Sequence, residues 1–316
     1  MNFLNFQGKN SGTYQGPDKE PLPVSLMQYI VHYVYGVSEP TIIRMNAALM
    51  KQYEGSEEGL KRKVLEKFLR TAQNTSETGI KFIPHGIVLS PKAAENLIDF
   101  VYHVEGYRGA RMAVGPCICQ VASKRPPDGI DEIEYKDITL FYGADIYKDM
   151  PMGHREINAE EAKEICRQMH ERGHVHNAFY LFGKRSGLFV LCNCDKDLCQ
   201  VVHGTRVMGP GLTDEKGPEV TKRDESKCLG PEQCGMCVKR CPFGANKIVN
   251  GKVVFNREKC MGCGVCIETC KGCARELEER TDYAYDNILN RTLLLAGKYG
   301  RPELEIVDFK EEAQHE

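Results

Sequence analysis

Apolar residues recur at helical spacing in the first hundred residues of the sequence and predict a series of helices. The apolar run 26–35 predicts a short first helix. Ser38-Glu39-Pro40 is expected to begin a second helix, because proline suits a first helical turn. Ser56 is expected to cap a third helix, with an inward face formed by Leu60, Val64, Phe68 and Ala72. Ser90-Pro91 should begin the next helix, with an apolar face made of Ala94, Leu97, Ile98 and Val101.

The middle of the chain mixes strand and helix patterns. Runs of apolar or β-branched residues at 111–119 and 137–142 predict two strands. Residues 178–182 and 187–192 flank a short turn, so they predict a hairpin. Between these strands, Asn158-Ala-Glu-Glu161 resembles a capping box and predicts a helix. One side of that helix is expected to hold Ala162, Ile165, Cys166 and Met169.

Helices combined with a few strands predict an α+β fold. Residues 209–219 are rich in glycine, proline and charge, so a domain junction is predicted there. We expect an N-terminal arm with a mainly helical region (1–109), an α+β region with Cys-x-Cys motifs (110–212), a cysteine-rich domain (213–273) and a C-terminal helical tail (274–316).

Composition and charge narrow the class of protein. The 44 acidic and 42 basic residues nearly cancel, which gives no reason to expect nucleic acid as a partner. Residues 1–18 carry no pattern of an export signal, and no stretch reaches the ~20 apolar residues that span a bilayer. The odd count of 15 cysteines cannot pair completely into disulfides. We therefore expect a cytoplasmic protein without a membrane span, whose thiols are reduced and bind metal.

Nine of the 15 cysteines lie between Cys228 and Cys273. One run is C-x2-C-x2-C-x3-C, formed by Cys260, Cys263, Cys266 and Cys270. The other run consists of Cys228, Cys234, Cys237 and Cys241, which Pro242 follows. Triplets with a remote fourth cysteine are typical of cubane iron–sulfur clusters, whereas zinc prefers two C-x2-C pairs for each ion. Two such runs in one stretch therefore favour iron–sulfur over zinc.

Residues 220–273 resemble two-cluster bacterial ferredoxins. The resemblance extends to Cys241-Pro-Phe-Gly-Ala245 and to Asn250-Gly251, which predicts a tight type I′ hairpin turn. It implies that one [4Fe–4S] cluster is bound by Cys228, Cys234, Cys237 and Cys270. It implies that a second is bound by Cys260, Cys263, Cys266 and Cys241. The fold implied is an N-terminal helical/α+β domain followed by a C-terminal dicluster ferredoxin domain.

Two departures from the ferredoxin pattern affect the first cluster. The gap between Cys228 and Cys234 is three residues longer than usual, but an internal repeat still aligns Cys228 with Cys260. Lys271 follows Cys270 where the family usually has proline, and Cys273 lies three residues beyond Cys270. Cys270 is favoured by position, and Cys273 stays open as the alternative ligand.

Five further cysteines form a candidate third site. Cys117 with Cys119, and Cys192 with Cys194, each end a strand-like run, and residues two apart on a strand face the same side. If the two strands are neighbours, these thiols meet at one sheet end, with Cys199 as a possible fifth. The order of elements looks like larger ferredoxin-type proteins of anaerobes. A third iron–sulfur cluster, a zinc ion and no metal at all stay open.

The cysteine pattern favours electron transfer. The chain is expected to relay single electrons through two or three [4Fe–4S] clusters between redox partner proteins, such as flavoprotein or metalloenzyme subunits of an oxidoreductase complex. The alternative is a catalytic iron–sulfur oxidoreductase whose N-terminal part binds a substrate or a further cofactor. His170-Glu171-Arg-Gly-His174 formally matches the zinc peptidase motif, but Gly173 favours a solvated helix end. No catalytic residue is assigned.

Overall fold

The fold is seen in a computed structural model, which describes residues 26–73, 85–106, 112–124, 131–140, 142–180, 188–211, 214–281 and 283. Several predictions lie outside the described residues: those on the N-terminal arm (1–18), on the turn 183–186 and on the tail beyond 283.

Helices of ordinary length are confined to the first two-thirds of the described chain. They are α1 (Leu26–Glu54), α2 (Leu60–Gln73), α3 (Pro91–Gly106), α4 (Ile118–Ser123), α5 (Tyr142–Lys148), α6 (Ala159–Glu171) and α7 (Gln200–Met208). The cysteine-rich part contains only one-turn helices, which are α8 (Gly230–Gln233), α9 (Met236–Lys239) and α10 (Val265–Glu268).

A seven-stranded sheet forms the centre of the N-terminal part. Its strands are β1 (His85–Leu89), β2 (Met112–Pro116), β3 (Tyr135–Leu140), β4 (Arg155–Glu156), β5 (Val175–Tyr180), β6 (Leu188–Cys194) and β7 (Asp214–Glu215). The spatial order is β4-β2-β3-β6-β5-β1-β7. Every pairing is antiparallel except that of β1 with β7. The mixture of helices and antiparallel strands agrees with the predicted α+β class.

The cysteine-rich unit, residues 219–279, is built from two small antiparallel pairs. β8 (Glu219–Arg223) pairs with β11 (Arg275–Glu279), and β9 (Asn246–Val249) pairs with β10 (Lys252–Phe255). Asn250 and Gly251 have φ angles of 49° and 72° between β9 and β10, so the predicted type I′ turn is confirmed. The strand β11 was not predicted, because its polar sequence lacks alternation.

Two helix predictions are confirmed by their caps and buried faces. The Ser90 hydroxyl accepts a hydrogen bond of 3.1 Å from the Ala93 N–H at the start of α3. The Asn158 side chain accepts one of 2.9 Å from the Glu161 N–H at the start of α6. The predicted inward residues of α3 are fully buried: Ala94, Leu97, Ile98 and Val101. Cys166 on α6 is also in the core.

The predictions for α1 and α2 were partly wrong. Pro40 lies inside the continuous helix α1 and does not begin a second one. Leu60, Val64 and Phe68 are more than half exposed, whereas Leu69 is the buried residue of α2. The reason is that α2 packs at the edge of the fold, on Met50 and neighbouring residues of α1 and α7, so a narrow stripe is covered instead of the predicted face.

The strand predicted at 111–119 ends early. Pro116 ends β2, where the register with β3 shifts, and Cys117 is the N-cap residue of helix α4, which contains Cys119. The prediction that Cys117 and Cys119 share one side of a strand was therefore wrong. The strands β2 and β6 are not neighbours either, because β3 lies between them.

Candidate iron–sulfur centres

The internal repeat of the cysteine-rich unit is visible in its backbone. Short 3-10 turns precede Cys228 and Cys260, and each turn is capped by a side-chain oxygen, from Asp224 in the first copy and Asn256 in the second. Cys228 and Cys260 have closely similar backbone angles, with φ near −75° and ψ near 120°. The structure therefore presents the two cysteines equivalently despite the longer gap after Cys228.

Four cysteines of the first predicted cluster line one cavity of about 340 Å³, including its opening to solvent, and they are Cys228, Cys234, Cys237 and Cys270. Cys273 is exposed and is not among the residues that line this cavity. Its φ of +48° is left-handed, as is the +65° of Gly244 three residues after Cys241. Cys273 thus occupies the turn position that glycine holds in the other half of the repeat.

Backbone N–H groups point at the two remote cysteines. The Ala245 N–H donates to Cys241 Sγ and the Ala274 N–H donates to Cys270 Sγ, each over 3.2 Å. Donors of this kind stabilise a thiolate and tune the group that it binds. The Arg275 guanidinium also donates to Cys237 Sγ over 3.4 Å. These contacts fit iron–sulfur ligation, because hydrogen bonds to ligating sulfur atoms orient them and tune the cluster that they bind.

The second predicted set lies against the N-terminal domain. Cys260 and Cys266 are buried and Cys263 is half-buried. Burial raises the pKa of the Cys263 thiol well above its ordinary value and that of Cys266 to about 11. A bound metal removes the proton that burial would otherwise retain. The left-handed Gly262 lets the chain pass the carbonyl of Glu219 where a Cβ would collide.

Several contacts dock this half of the unit onto the main fold. Phe243, Met261 and Val265 join the large hydrophobic core. The Arg240 guanidinium donates to the carbonyl oxygens of His170 and Glu171 at the end of α6, over 3.3 Å and 2.8 Å. The second set of cysteines therefore faces inward, whereas the first set lies nearer the surface.

The candidate third site is assembled from three separate segments. Its five cysteines line one cavity of about 980 Å³, including its opening to solvent, and they are Cys117, Cys119, Cys192, Cys194 and Cys199. The cavity lies between the sheet and helices α1, α4 and α7. The sequence named the thiols that meet here, but partly for a wrong reason. Cys117 and Cys119 were expected on a strand, whereas they lie at the start of helix α4, and Cys199 lies at the start of helix α7.

The surroundings of this cavity shift the pKa values of its thiols in both directions. Burial raises the pKa of the Cys117 and Cys192 thiols well above their ordinary value. Contacts with Cys119 and Cys194 instead lower the pKa of Cys199, whose thiol also lies near N–H groups at the start of α7. Cys199 is thus the thiol of this set that ionises most readily.

Single-ion geometry is absent from the described residues, since no three histidine, cysteine or carboxylate side chains there converge to hold one metal ion. In the cysteine-rich unit, too, no three such side chains converge on one ion. A cubane binds each thiolate to a different iron atom, so its ligands stand farther apart than those of one zinc ion.

The His170–His174 stretch is buried, which corrects the expectation of a solvated helix end. Both imidazoles are about 4% exposed, and α6 does end at Glu171 as Gly173 indicated. His174 Nε2 lies 3.5 Å from the Asp195 carboxylate. His170 turns the other way and stacks on His176, with ring centroids 5.3 Å apart. The two histidines of the motif therefore do not share a metal.

Asn193 is a residue that the sequence-based reasoning missed, and His176 is one to which it assigned no role. His176 Nδ1 and Asn193 Oδ1 are 2.7 Å apart, and Asn193 lies between Cys192 and Cys194. On the other side, a side chain at Gly264 would lie 3.9 Å from the His170 ring. His170, His176 and Asn193 thus form a series of contacts from the end of α6 to the third cavity, and the loop of Cys263 and Cys266 passes beside its first member. No sequence motif marks this route.

Comparison with known proteins agrees with the cysteine geometry. Residues 221–271 match the 4Fe-4S dicluster domain family. The match indicates two [4Fe–4S] clusters and confirms the predicted resemblance. The match covers a small part of the chain.

Curated relatives are similar over the same kind of short stretch. One is a subunit of the ion-translocating oxidoreductase complex of Methanosarcina acetivorans, 36% identical over 63 residues, which are 20% of this chain and 23% of the relative. Another is the polyferredoxin protein MvhB of Methanothermobacter marburgensis, 38% identical over 74 residues, or 19% and 17% of the two chains. A (2S)-3-sulfopropanediol sulfolyase activating enzyme of Bilophila wadsworthia is 51% identical over 37 residues, 12% of each chain.

These similarities leave most of the chain without a counterpart. The chain spans less than a quarter of the length of each of these relatives. No solved structure matches it. The dicluster domain and the relatives support an iron–sulfur electron-transfer role. Within the described residues, no helix has the length and apolar character needed to cross a membrane.

Proposed function

We propose that this protein relays single electrons between redox partner proteins through [4Fe–4S] clusters. The observation that carries the proposal is the dicluster domain, whose repeat presents two sets of cysteines with N–H groups directed at sulfur. The clusters would supply one-electron chemistry. The chain supplies thiolate ligands, hydrogen bonds to sulfur and partly dry surroundings, which together set the reduction potential.

The proposed ligands are those implied by the resemblance. The cavity lining supports Cys228, Cys234, Cys237 and Cys270 for the first cluster. The inward set Cys260, Cys263, Cys266 and Cys241 is proposed for the second. Cys270 is preferred over Cys273, because the Ala274 N–H donates to Cys270 and Cys273 is exposed.

A third iron–sulfur cluster is proposed at the cysteine-lined cavity. Five cysteines meet there, and four are enough for a cubane. Zinc is the less favoured occupant, because no three of the described side chains converge on one ion. Burial without a metal would keep Cys117 and Cys192 protonated, and an iron–sulfur cluster would offset that charge penalty.

The partners are proposed to be other subunits of an oxidoreductase complex, of flavoprotein or metalloenzyme type. The names of two relatives, one from an oxidoreductase complex and the other a polyferredoxin, support this proposal. Cys228, Cys234 and Cys270 are only half-buried, so the first cluster is the natural point for a partner to exchange electrons. Cytoplasmic localisation is part of the proposal and is supported by the many reduced thiols.

A second candidate function is catalytic. The observation that favours it is the lining of the third cavity, which extends beyond the thiols to residues of α1 and α2 such as Ile42 and Leu69. A cluster at one end of such a cavity could deliver electrons to a bound molecule. In that case the dicluster unit would feed an active site within the same chain.

The proposal is tested by anaerobic iron and sulfide analysis of the full chain. Two cubanes give about 8 irons and 8 sulfides for each chain, and three give about 12 of each. Zinc without sulfide would refute the electron-transfer proposal. The third site is tested by a double variant in which serine replaces both Cys119 and Cys194. This variant should lose about four irons for each chain. Cys166→Ser is the matched control, because Cys166 is an equally buried thiol that does not line the cavity.

A further inference from the structure

The two halves of the cysteine-rich unit differ in charge at one equivalent position. Arg275 begins β11 and Asn246 begins β9, each at the same spacing after the remote cysteine of its half. Each also follows directly the alanine whose N–H donates to the Sγ atom of that cysteine. The first set of cysteines therefore has a cation at the position where the second set has a neutral amide.

The Arg275 side chain is held against a thiol of the first set. Arg275 is 6% exposed and is among the residues that line the cavity of the first predicted cluster. Its Nη2 atom donates to Cys237 Sγ over 3.4 Å and to Asn246 Oδ1 over 2.7 Å. The guanidinium also lies over the Phe255 ring, 5.7 Å from the ring centroid. These contacts fix a positive charge beside a thiol that is proposed to bind the first cluster.

The charge of Arg275 has no carboxylate partner among the described residues. Its Nη1 atom is buried and has no hydrogen-bond partner in that part of the chain. A buried cation costs free energy unless negative charge lies close to it. Thiolates that hold a cluster would supply such charge, because each brings one negative charge to the cavity. The placement of Arg275 therefore fits a cluster bound by the first set.

The equivalent thiol of the second set contacts a neutral group instead. Cys266 is the third cysteine of its run, as Cys237 is of the other, and its Sγ atom lies 3.6 Å from the Thr221 hydroxyl oxygen. Burial raises the pKa of Cys266 to about 11, and the charge of Arg275 acts against that rise. Arg275 thus influences both sets, but its hydrogen bond to sulfur is made to the first. A charge that acts through a hydrogen bond has the stronger effect.

We infer that Arg275 raises the reduction potential of the first cluster above that of the second. Reduction adds one negative charge to a cluster, so a cation hydrogen-bonded to a ligating sulfur stabilises the reduced form. One electron that passes from the second cluster to the first oxidises one and reduces the other, and no further reactant is needed. The inference rests on the proposed electron-transfer function and gives it a direction: electrons collect at the first cluster, which lies nearer the surface.

The test is a redox titration of the full chain with dithionite, followed by paramagnetic resonance, with iron and sulfide counted in the same anaerobic sample. The remote ligands identify the two signals, because Cys270→Ser should lack that of the first cluster and Cys241→Ser that of the second. In the unmodified chain, we expect the first cluster to be reduced at a higher potential than the second.

Variants of Arg275 assign the difference to its charge. Arg275→Gln keeps a donor for Asn246 but loses the charge, so the first cluster should bind its electron roughly tenfold more weakly, a fall of about 59 mV. Arg275→Lys keeps the charge and should recover more than half of that fall. Arg257→Gln is the matched control, because Arg257 is a half-exposed arginine of the same unit that pairs with Glu278. It should shift neither potential appreciably.

Three results would overturn the inference. One is reduction of the second cluster before the first in the unmodified chain, which decides the matter even if Arg275→Gln fails to bind iron. Another is an equal fall in Arg275→Gln and Arg257→Gln, and the third is a fall in Arg275→Lys as large as that in Arg275→Gln. With about 8 or more irons and matching sulfide, each would leave the electron-transfer proposal intact. Zinc without sulfide would refute that proposal and the inference together.

Discussion

The cysteine-rich unit and the third cavity both gather thiols, but they do so by different physical means. In the cysteine-rich unit the thiols come from short loops, where left-handed residues such as Gly235 and Gly264 begin one-turn helices. In the cavity the thiols come from segments far apart in sequence, and Cys117 and Cys199 sit at the N-cap positions of α4 and α7. One arrangement is local and the other depends on the packing of a whole domain.

The comparison shows that the spacing of cysteines in sequence can position the thiols of the cysteine-rich unit, whereas the thiols of the third cavity are positioned by the packing of the core. Loop cysteines need few tertiary contacts, so the unit forms its first set of thiols nearer the surface, while its second set faces inward. The cavity holds its thiols inside the core, beside acidic side chains such as Glu39 and Asp137 whose pKa values burial raises. A ligand set of the second kind is therefore sensitive to distant changes in the fold.

The largest expected effect concerns the local arrangement. Cys270→Ser should remove about four irons for each chain, because the remote ligand of the first cluster is lost. Cys273→Ser is the matched control and should remove none, since this exposed thiol lies outside the cavity of the first cluster. Iron analysis and the optical spectrum measure both. Loss of iron in Cys273→Ser but not in Cys270→Ser would show that Cys273, and not Cys270, is the remote ligand.

A smaller effect tests whether the two regions communicate. His176→Phe keeps a ring against His170 but removes the hydrogen bond to Asn193, which lies between two cavity thiols. We expect a loss of about 1–3 kcal/mol in the free energy of unfolding and slower reduction of the proposed third cluster by the dicluster unit. Freeze-quenched paramagnetic resonance spectra would follow that reduction.

The control for this variant is His203→Phe on the exposed side of α7, where His203 pairs with Glu54. It should leave both the stability and the rate of reduction almost unchanged. Equal rates of reduction in His176→Phe and His203→Phe would show that electron transfer between the two regions does not depend on the stacked histidines. The contacts between the two regions would then serve docking only.

The most gradual effect, spread over several pH units, tests the burial of a carboxyl group in the sheet. Asp214 is fully buried and accepts hydrogen bonds from Asn177 and Thr205, and burial raises its pKa from 3.8 to about 8. The folded state therefore holds a proton that the unfolded state releases. This contribution to stability is complete below pH 3.8 and is lost as the pH rises through 8, by at most about 1.4 kcal/mol for each pH unit.

Thermal unfolding of the full chain between about pH 5 and 9 checks this prediction. The unfolding temperature should fall with rising pH, and Asp214→Asn should make that fall shallower. Glu39 and Asp137 titrate in the same direction, so part of the slope should remain. An unchanged slope in Asp214→Asn would contradict the assignment of a buried, protonated carboxyl group.

Local features of the fold were predictable because they depend on neighbouring residues. The cap at Asn158, the buried face of α3 and the turn at Asn250-Gly251 each follow from a few adjacent positions. The exposed face of α2 and the continuity of α1 through Pro40 were not predictable in the same way. They depend on which surfaces the rest of the chain leaves open for packing.

The sequence by itself determined the dicluster domain, because the spacing of its cysteines already places each triplet within a few residues of one cluster. Tertiary structure decided how that domain is used. Only the folded chain turns the second set of cysteines inward and stacks His170 on His176, which contacts Asn193 in the lining of the third cavity. The physical reason is distance along the chain: contacts between residues far apart in sequence form only when the sheet and its helices have packed.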